Sequence, residues 1–327
     1  MGSIPFIPEQ ASAGAGNIDL LFFALVGVTL FFIVGIFGLI VFFAVRYRHE
    51  NKVDRVIRRT DYIKLELTWI IIPTLLSIGI FVWSAWLYFE GKTPPSDAME
   101  IYVTGKQWMW KIQHPKGNRE INELHVPVGV PVKLIMTSQD VIHSFFVPAF
   151  RIKADVLPGR FTTTWFRPTK VGTYHLFCAE YCGTEHSGMI GEVVVMEPPA
   201  YQAWLAAGGA APTMAANGKE LFSQLGCATC HRTDTQGRGP NLVGMFGRPV
   251  QLADGRSVIA DENYIRESIL NPQAKVTAGF QPIMPTFQGQ VTEESLGALV
   301  SYLKSLSQPQ QKAEVGAPQQ ASAGESN

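Results

Sequence analysis

Cys178-Ala-Glu-Tyr-Cys182-Gly-Thr-Glu-His186-Ser-Gly-Met189 puts two thiols, an imidazole and a thioether within twelve residues. Soft sulfur together with imidazole is the ligand set that copper prefers. A mononuclear blue-copper loop needs one Cys, a His a few residues on and a distant axial Met. Cys182, His186 and Met189 supply that set, and Cys178 adds a second thiol. Two thiolates on one tight loop can bridge two metal ions, each of which then needs its own imidazole. One further His must therefore come from an earlier strand. A Cys178–Cys182 disulfide or a zinc site are the competing readings. The first leaves His186 and Met189 at ligand spacing by accident, and zinc makes little use of thioether sulfur.

Working outward, residues 99–197 are written as strands. Glu100–Val103, Val130–Thr137, Phe161–Phe166, Thr173–Phe177 and Glu192–Met196 are rich in Val, Ile, Thr and aromatics, with Gly and Pro between them. Short strands at this spacing predict an antiparallel β-sandwich or barrel over residues 98–197, with the metal loop between the last two strands. His114, His125, His143 and His175 are the candidates for the missing imidazole. His143 follows the strand ending at Thr137, and a strand end beside the loop is where a distant ligand belongs. His175 points elsewhere from within a strand, and His114 and His125 read as loop or surface residues. Trp108 and Trp110 flank Met109 in a strand-like run, one expected to pack inward and one outward. An exposed Trp beside the metal loop is a candidate contact for an electron donor.

On the N-terminal side, residues 1–17 form an outer segment without Lys or Arg. Ile18–Val45 is apolar except for Asp19 and Thr29, and Leu67–Phe89 is a second apolar run carrying Trp83, Trp86 and Tyr88 near its end. At about 1.5 Å per residue each is long enough for a hydrocarbon core of about 30 Å, which predicts a transmembrane hairpin over residues 18–90. The lack of a basic leading region argues for a retained helix rather than a cleaved signal. Arg46, Arg48, Lys52, Arg55, Arg58, Arg59 and Lys64 lie between the two runs, so that loop belongs in the cytoplasm and both chain ends outside. Pro73 is expected to kink or loosen the second helix. Glu66, at the inner end of that helix, reads either as a solvated flank residue or as a proton-input carboxylate.

On the C-terminal side, residues 198–214 read as a linker containing a flexible Ala/Gly stretch, Ala206–Ala211. Residues 215–307 carry Cys227-Ala-Thr-Cys230-His231, the spacing for thioether attachment of a haem whose iron the adjacent His binds. A thioredoxin-like redox pair would need a βαβ context that is absent from the pattern. Met284, between Pro282 and Pro285, is preferred to Met245 as the sixth iron ligand, which describes a closed electron carrier. Helices are predicted at Asn217–Leu225, Asn263–Leu270 and Thr292–Leu306, and residues 308–327 as disordered. The chain has 327 residues and a formal net charge of zero, which implies no nucleic-acid partner. Its four Cys all sit in the two metal-type motifs, leaving none for a structural disulfide.

Two membrane helices, a β-sandwich with C-x-E-x-C-x3-H-x2-M and then C-x-x-C-H resemble, in that order, subunit II of haem–copper cytochrome c oxidases with a fused class I cytochrome c domain. The resemblance covers residues 17–306 and implies a multidomain fold. Its parts are a two-helix transmembrane hairpin, a cupredoxin-like antiparallel β-sandwich and an all-α cytochrome c domain. It implies a binuclear copper centre, CuA, held by His143, Cys178, Cys182, His186 and Met189 with the Glu180 carbonyl, and a magnesium ion near the Glu180 side chain at the subunit I interface. Trp108 matches the residue through which electrons enter CuA, Glu66 the carboxylate at the mouth of a proton pathway, and Gly239-Pro-Asn-Leu242 the support of His231, with Met284 distal. The implied role is electron input to a proton-translocating cytochrome c oxidase whose oxygen chemistry lies outside this chain. Its partners would be subunit I, other membrane subunits, the lipid bilayer and a donor, cytochrome c or a quinol-oxidising complex. The implied location is a bacterial cytoplasmic membrane, multi-pass, with both soluble domains on the periplasmic or outer side. A CuA subunit of a nitric oxide reductase and a membrane-tethered electron carrier without a catalytic partner are the alternatives.

Overall fold

The computed structural model describes residues 7–53, 59–208, 212–232 and 237–307. Two helices open the chain, α1 (Ala15–Arg46) and α2 (Arg59–Lys92), each longer than the apolar run that predicted it. Arg46 and Lys92 occupy their last turns, where a cation meets the negative end of the helix dipole. Both helices are long and apolar enough to cross a membrane, and their Leu, Ile and Phe side chains face outward. A helix satisfies its own backbone, which is what a lipid environment demands. Pro73 lies inside α2.

Ten strands follow: β1 (Met99–Lys106), β2 (Met109–Gln113), β3 (Arg119–Ile121), β4 (Glu123–Pro127), β5 (Val132–Ser138), β6 (His143–Val147), β7 (Ile152–Val156), β8 (Thr162–Phe166), β9 (Gly172–Cys178) and β10 (Ile190–Met196). They form two sheets, ordered β3-β2-β1-β5-β8 and β4-β10-β9-β6-β7. Trp110, Leu134, Phe145, Leu176 and Val193 are wholly buried in the sandwich core. The sandwich was expected to be antiparallel, and this is corrected in part: β1 pairs with β5, and β4 with β10, in parallel. A parallel pair needs a crossover connection, and here β2–β4 supply the one between β1 and β5.

The residues before α1 join the sandwich. The Ala11 N–H donates to Ala149 O at 2.9 Å, and the Thr169 N–H donates to Ala11 O at 2.9 Å. Arg151, at φ 56°, donates to both Asp19 carboxylate oxygens at 2.7 and 2.9 Å and to the Pro8 carbonyl at 2.7 Å. The Trp165 indole donates to the Glu90 carbonyl near the end of α2, at 3.2 Å.

The stretch read as a linker begins with a ten-residue helix, α3 (Pro198–Ala207), whose Tyr201 and Leu205 are buried. Part of the Ala/Gly stretch, residues 209–211, and the tail 308–327 lie outside the described residues. The chain divides into two compact units between Thr213 and Met214. The second unit contains α4 (Met214–Gln224), α5 (Glu262–Leu270) and α6 (Glu293–Ser305). Gly218 of α4 lets the helix approach Ala298 of α6 closely, and the Phe222 and Tyr302 rings meet at 5.5 Å. Thr292 caps α6 by accepting the Ser295 N–H at 3.2 Å. The all-α expectation is also corrected: β11 (Pro249–Gln251) and β12 (Ser257–Ile259) form a two-stranded ribbon. Its signal was Asp254-Gly255, a turn dipeptide between β-branched residues.

Candidate metal centres

β9 ends at Cys178 and β10 begins at Ile190, so the twelve-residue stretch is the loop joining two paired strands. A short 3-10 turn at His186–Gly188 folds it back. The Cys178 and Cys182 sulfurs stand 3.8 Å apart as free thiols. Cys182 Sγ lies 3.4 Å from His186 Nδ1 and 3.9 Å from Met189 Sδ. Cys178 Sγ lies 3.9 Å from His143 Nδ1 and 3.3 Å from the Glu180 carbonyl oxygen. The six expected copper-site residues are thus brought together. Of these, His143, Cys178 and Cys182 present ligand atoms that all lie within 4.8 Å of one another.

His143 opens β6, and the β6–β9 pairing of Phe145 with Cys178 carries it to the loop. Its ring is fully buried, and its Nε2 donates to Asp140 Oδ1 at 2.8 Å. That bond sets the tautomer and leaves Nδ1, the nitrogen facing Cys178, free to accept a metal. Burial works against the protonated imidazole, yet the Cys178 and Asp140 contacts hold its pKa above the ordinary value. Asp140 also accepts the Gln107 N–H at 2.7 Å, which ties the imidazole to the turn carrying Trp108. A Cβ on Gly105 would stand 2.8 Å from His143 Cδ2, so only glycine leaves room for this ring.

Trp108 is half-buried, and its indole donates to the Cys182 carbonyl at 3.2 Å; Gln107 Nε2 donates to the same oxygen at 2.8 Å. Gly183 next to it adopts φ 119°, a conformation that favours glycine. The expectation that Trp108 and Trp110 face opposite ways is corrected. Trp110 is buried, and Trp108, in the turn just before β2, is half-buried and packs against the same core. The Trp110 ring meets Phe145 edge-on at 5.3 Å and His143 at 6.0 Å.

The surface reading of His114 and His125 is corrected as well. His114 is fully buried, and His125 lies half-buried within β4. Glu120 draws both inward: its Oε1 accepts from His114 Nε2 at 2.6 Å, and its Oε2 from His125 Nδ1. Sequence offered little signal, since the burying partners Tyr201 and Trp204 come from α3, some eighty residues away. His175 is exposed on β9, as expected. The Glu180 carboxylate is half-exposed and pairs with Lys153 at 3.1 Å. Glu66 is exposed on α2.

In the second unit, Cys227–Thr229 forms a 3-10 turn entered through Gly226, and both Cys227 and Cys230 are free. His231 Nδ1 donates to the Pro240 carbonyl at 2.9 Å, which leaves Nε2 available to an iron. Gly239 lies flat against that ring, where a Cβ would approach the imidazole to 2.8 Å. The donor set therefore fits a thioether-linked haem on its His side. Met284 is half-buried on the loop before α6. Met245 is also half-buried, but within a tight turn in which its N–H donates to Leu242 O at 3.3 Å and its carbonyl accepts the Arg248 N–H at 3.1 Å.

With this geometry in view, two family models match the chain. Residues 117–197 match "Cytochrome C oxidase subunit II, periplasmic domain" and residues 215–307 match "Cytochrome c". The cytochrome c oxidase subunit 2 of Thermostichus vulcanus is 30% identical over 254 residues, covering 61% of this chain and 77% of that one. The chain belongs to the cytochrome c oxidase subunit 2 family. The subunit 2 of Alkalihalophilus pseudofirmus is 29% identical over 286 residues, covering 83% of this chain and 82% of that protein. The alternative cytochrome c oxidase subunit 2 of Bradyrhizobium diazoefficiens is 34% identical over 165 residues, covering 41% of this chain and 58% of its own length. The matched subunit II stretch contains His143 and the whole 178–189 loop, and the cytochrome c stretch contains Cys227, Cys230, His231 and Met284. Copper and haem are the groups typical of these two families.

Proposed function

We propose that this chain is the electron-input subunit of a cytochrome c oxidase, receiving electrons at a haem c and delivering them, by way of CuA, to a partner subunit I that reduces oxygen. The observation that carries the reading is the joining of two free thiols, two imidazoles and a thioether around one loop. His143, Cys178, Cys182, His186 and Met189 with the Glu180 carbonyl would hold two copper ions, and Cys227, Cys230, His231 and Met284 a haem. The copper pair and the haem supply reversible one-electron chemistry. The protein's own part is to hold that chemistry still. Asp140 fixes the His143 ring, Pro240 fixes His231, and the core around Met189 keeps water out. Trp108, half-exposed and hydrogen-bonded to the loop at Cys182 O, is the group we assign to electron transfer into the site. Glu180 would approach a magnesium ion at the subunit I interface through its half-exposed carboxylate, displacing Lys153. Glu66 would serve as the outermost carboxylate of a proton pathway. Two spans with a basic loop between them support a cytoplasmic-membrane protein whose soluble units face outward.

The test uses the native complex, isolated from membranes through this chain and supplied with reduced cytochrome c. Metal analysis should return two coppers in this subunit per covalently bound haem. Oxygen uptake should be rapid and should vanish in Cys182→Ser. Nitric oxide consumption with little oxygen uptake would move the protein to denitrification, and no gas consumption would leave a tethered carrier.

A further inference from the structure

α3 is too short to be helical unaided: isolated helices of fewer than about 12–15 residues are marginal in water. It is held by a cluster on the sandwich that the metal sites do not use. Tyr201, 2% exposed, places its hydroxyl 3.2 Å from His114 Nδ1 and 3.5 Å from Met99 Sδ. Trp204 stacks on His125 at 4.6 Å and meets His114 edge-on at 5.1 Å. Asn118 donates to the Leu205 carbonyl at 3.2 Å, satisfying one of the orphan carbonyls at the helix end. Behind them Glu120 binds both histidines and the His125 N–H. Every polar atom of the buried His114 ring has a partner only while Tyr201 is in place. Six residues, 208–213, connect α3 to α4.

We propose that His114, Glu120 and His125 form a latch for Tyr201 and Trp204 that keeps α3 docked, and that this docking, by limiting the chain between α3 and α4 to six residues, speeds electron transfer from haem c to CuA. The proposal rests on the electron-input reading above. Release of α3 would unfold ten residues and lengthen the connection from six to sixteen. Effective concentration falls roughly as the −3/2 power of tether length, so the encounter of the two centres should become about fourfold rarer. Burial pushes the Tyr201 phenol's pKa up, which keeps the hydroxyl protonated and the latch neutral on that side.

The experiment uses the full-length, metal-loaded chain. Haem is reduced by a flash-activated one-electron photoreductant with a sacrificial amine donor, and growth of the reduced-copper signal gives the haem-to-copper rate. Limited proteolysis within residues 198–208 reports docking. Trp204→Ala should open those residues to cleavage and slow transfer about fourfold, with the optical spectra and midpoint potentials of both centres unchanged. Trp204→Phe, which keeps a ring on His125, should restore most of the rate. Tyr201→Phe provides a second, milder variant should Trp204→Ala fail to fold. Ten Gly/Ser residues inserted after Gly208 of the unaltered chain should slow transfer equally while α3 stays protected. A wild-type rate in a variant whose α3 is cleaved, or an α3 still protected in Trp204→Ala, overturns the proposal. A wild-type chain that holds both cofactors yet passes no electron between them sinks the electron-input reading and the rate-setting role of α3 with it. The proteolysis comparison then still decides whether the cluster holds α3.

Discussion

Asp140 and Gly105 shape His143 from two sides, one by a hydrogen bond and one by having no side chain. Gly105→Ala should therefore force the ring away from Cys178. An overpacked core site costs about 1–3 kcal/mol, and the loss should appear as weakened copper retention during dialysis against a chelator. Copper retention equal to wild type would show that β6 can yield without moving the ligand. The two thiols differ as well. Burial opposes ionisation of both. At Cys178 the His143 contact and the Ser144 and Glu180 backbone bonds more than offset it, so that thiol lies below its ordinary pKa. Burial and then the neighbouring Cys178 push Cys182 above its own. In the metal-free chain at neutral pH, iodoacetamide should modify Cys178 ahead of Cys182, because the thiolate is the nucleophile. Mass mapping that finds Cys182 labelled first would contradict this ordering.

Among the elements, α5 and α6 are joined by Arg266, whose guanidinium donates to Glu293 at 2.5 and 2.7 Å while 6% exposed. Removing one partner of a buried pair strands the other's charge. Arg266→Met should accordingly destabilise the haem-binding unit by about 3 kcal/mol, read as a lower denaturation midpoint by haem absorbance. A second element-level prediction concerns acid. Burial raises the Glu120 carboxyl, but the His114 and His125 hydrogen bonds outweigh it and hold the group below its ordinary 4.5. A depressed folded-state pKa stabilises fully above the unfolded value and loses that contribution as pH falls through the folded one. The stability difference between wild type and Glu120→Gln should thus be flat from neutral pH down to about the ordinary carboxylate range and shrink below it. Denaturant unfolding followed by tryptophan fluorescence at several pH values measures this, and a difference that grows in acid would reverse the assigned sign.

Across the whole molecule, the sandwich is tied to α1 and α2 at Arg151–Asp19 and at Trp165–Glu90. Arg151→Ala leaves Asp19 without its cation and should make residues 7–14 exchange amide hydrogens faster while leaving the copper spectrum unaltered. Most of the donor side chains of both candidate metal centres were legible in the chain itself, because Cys178–Met189 and Cys227–His231 carry them within a few residues. The two long apolar helices were legible for the same local reason, since length and apolarity are read directly from the residues. The β11–β12 ribbon was legible in principle from Asp254-Gly255 but was masked by the helical pattern around it. Other features depended on distant parts of the chain meeting. Sequence narrowed the remote imidazole to four and favoured His143, yet only the β6–β9 pairing brings it to Cys178, thirty-five residues on. The burial of His114 and His125 waited on α3, and the parallel pairing of β1 with β5 on a crossover that no local pattern encodes. Ligand chemistry is a property of residue types at short spacing, so the sequence by itself determined it. Which imidazole, which buried charge and which strand neighbour depend on packing across the sandwich, and only the tertiary structure decided those.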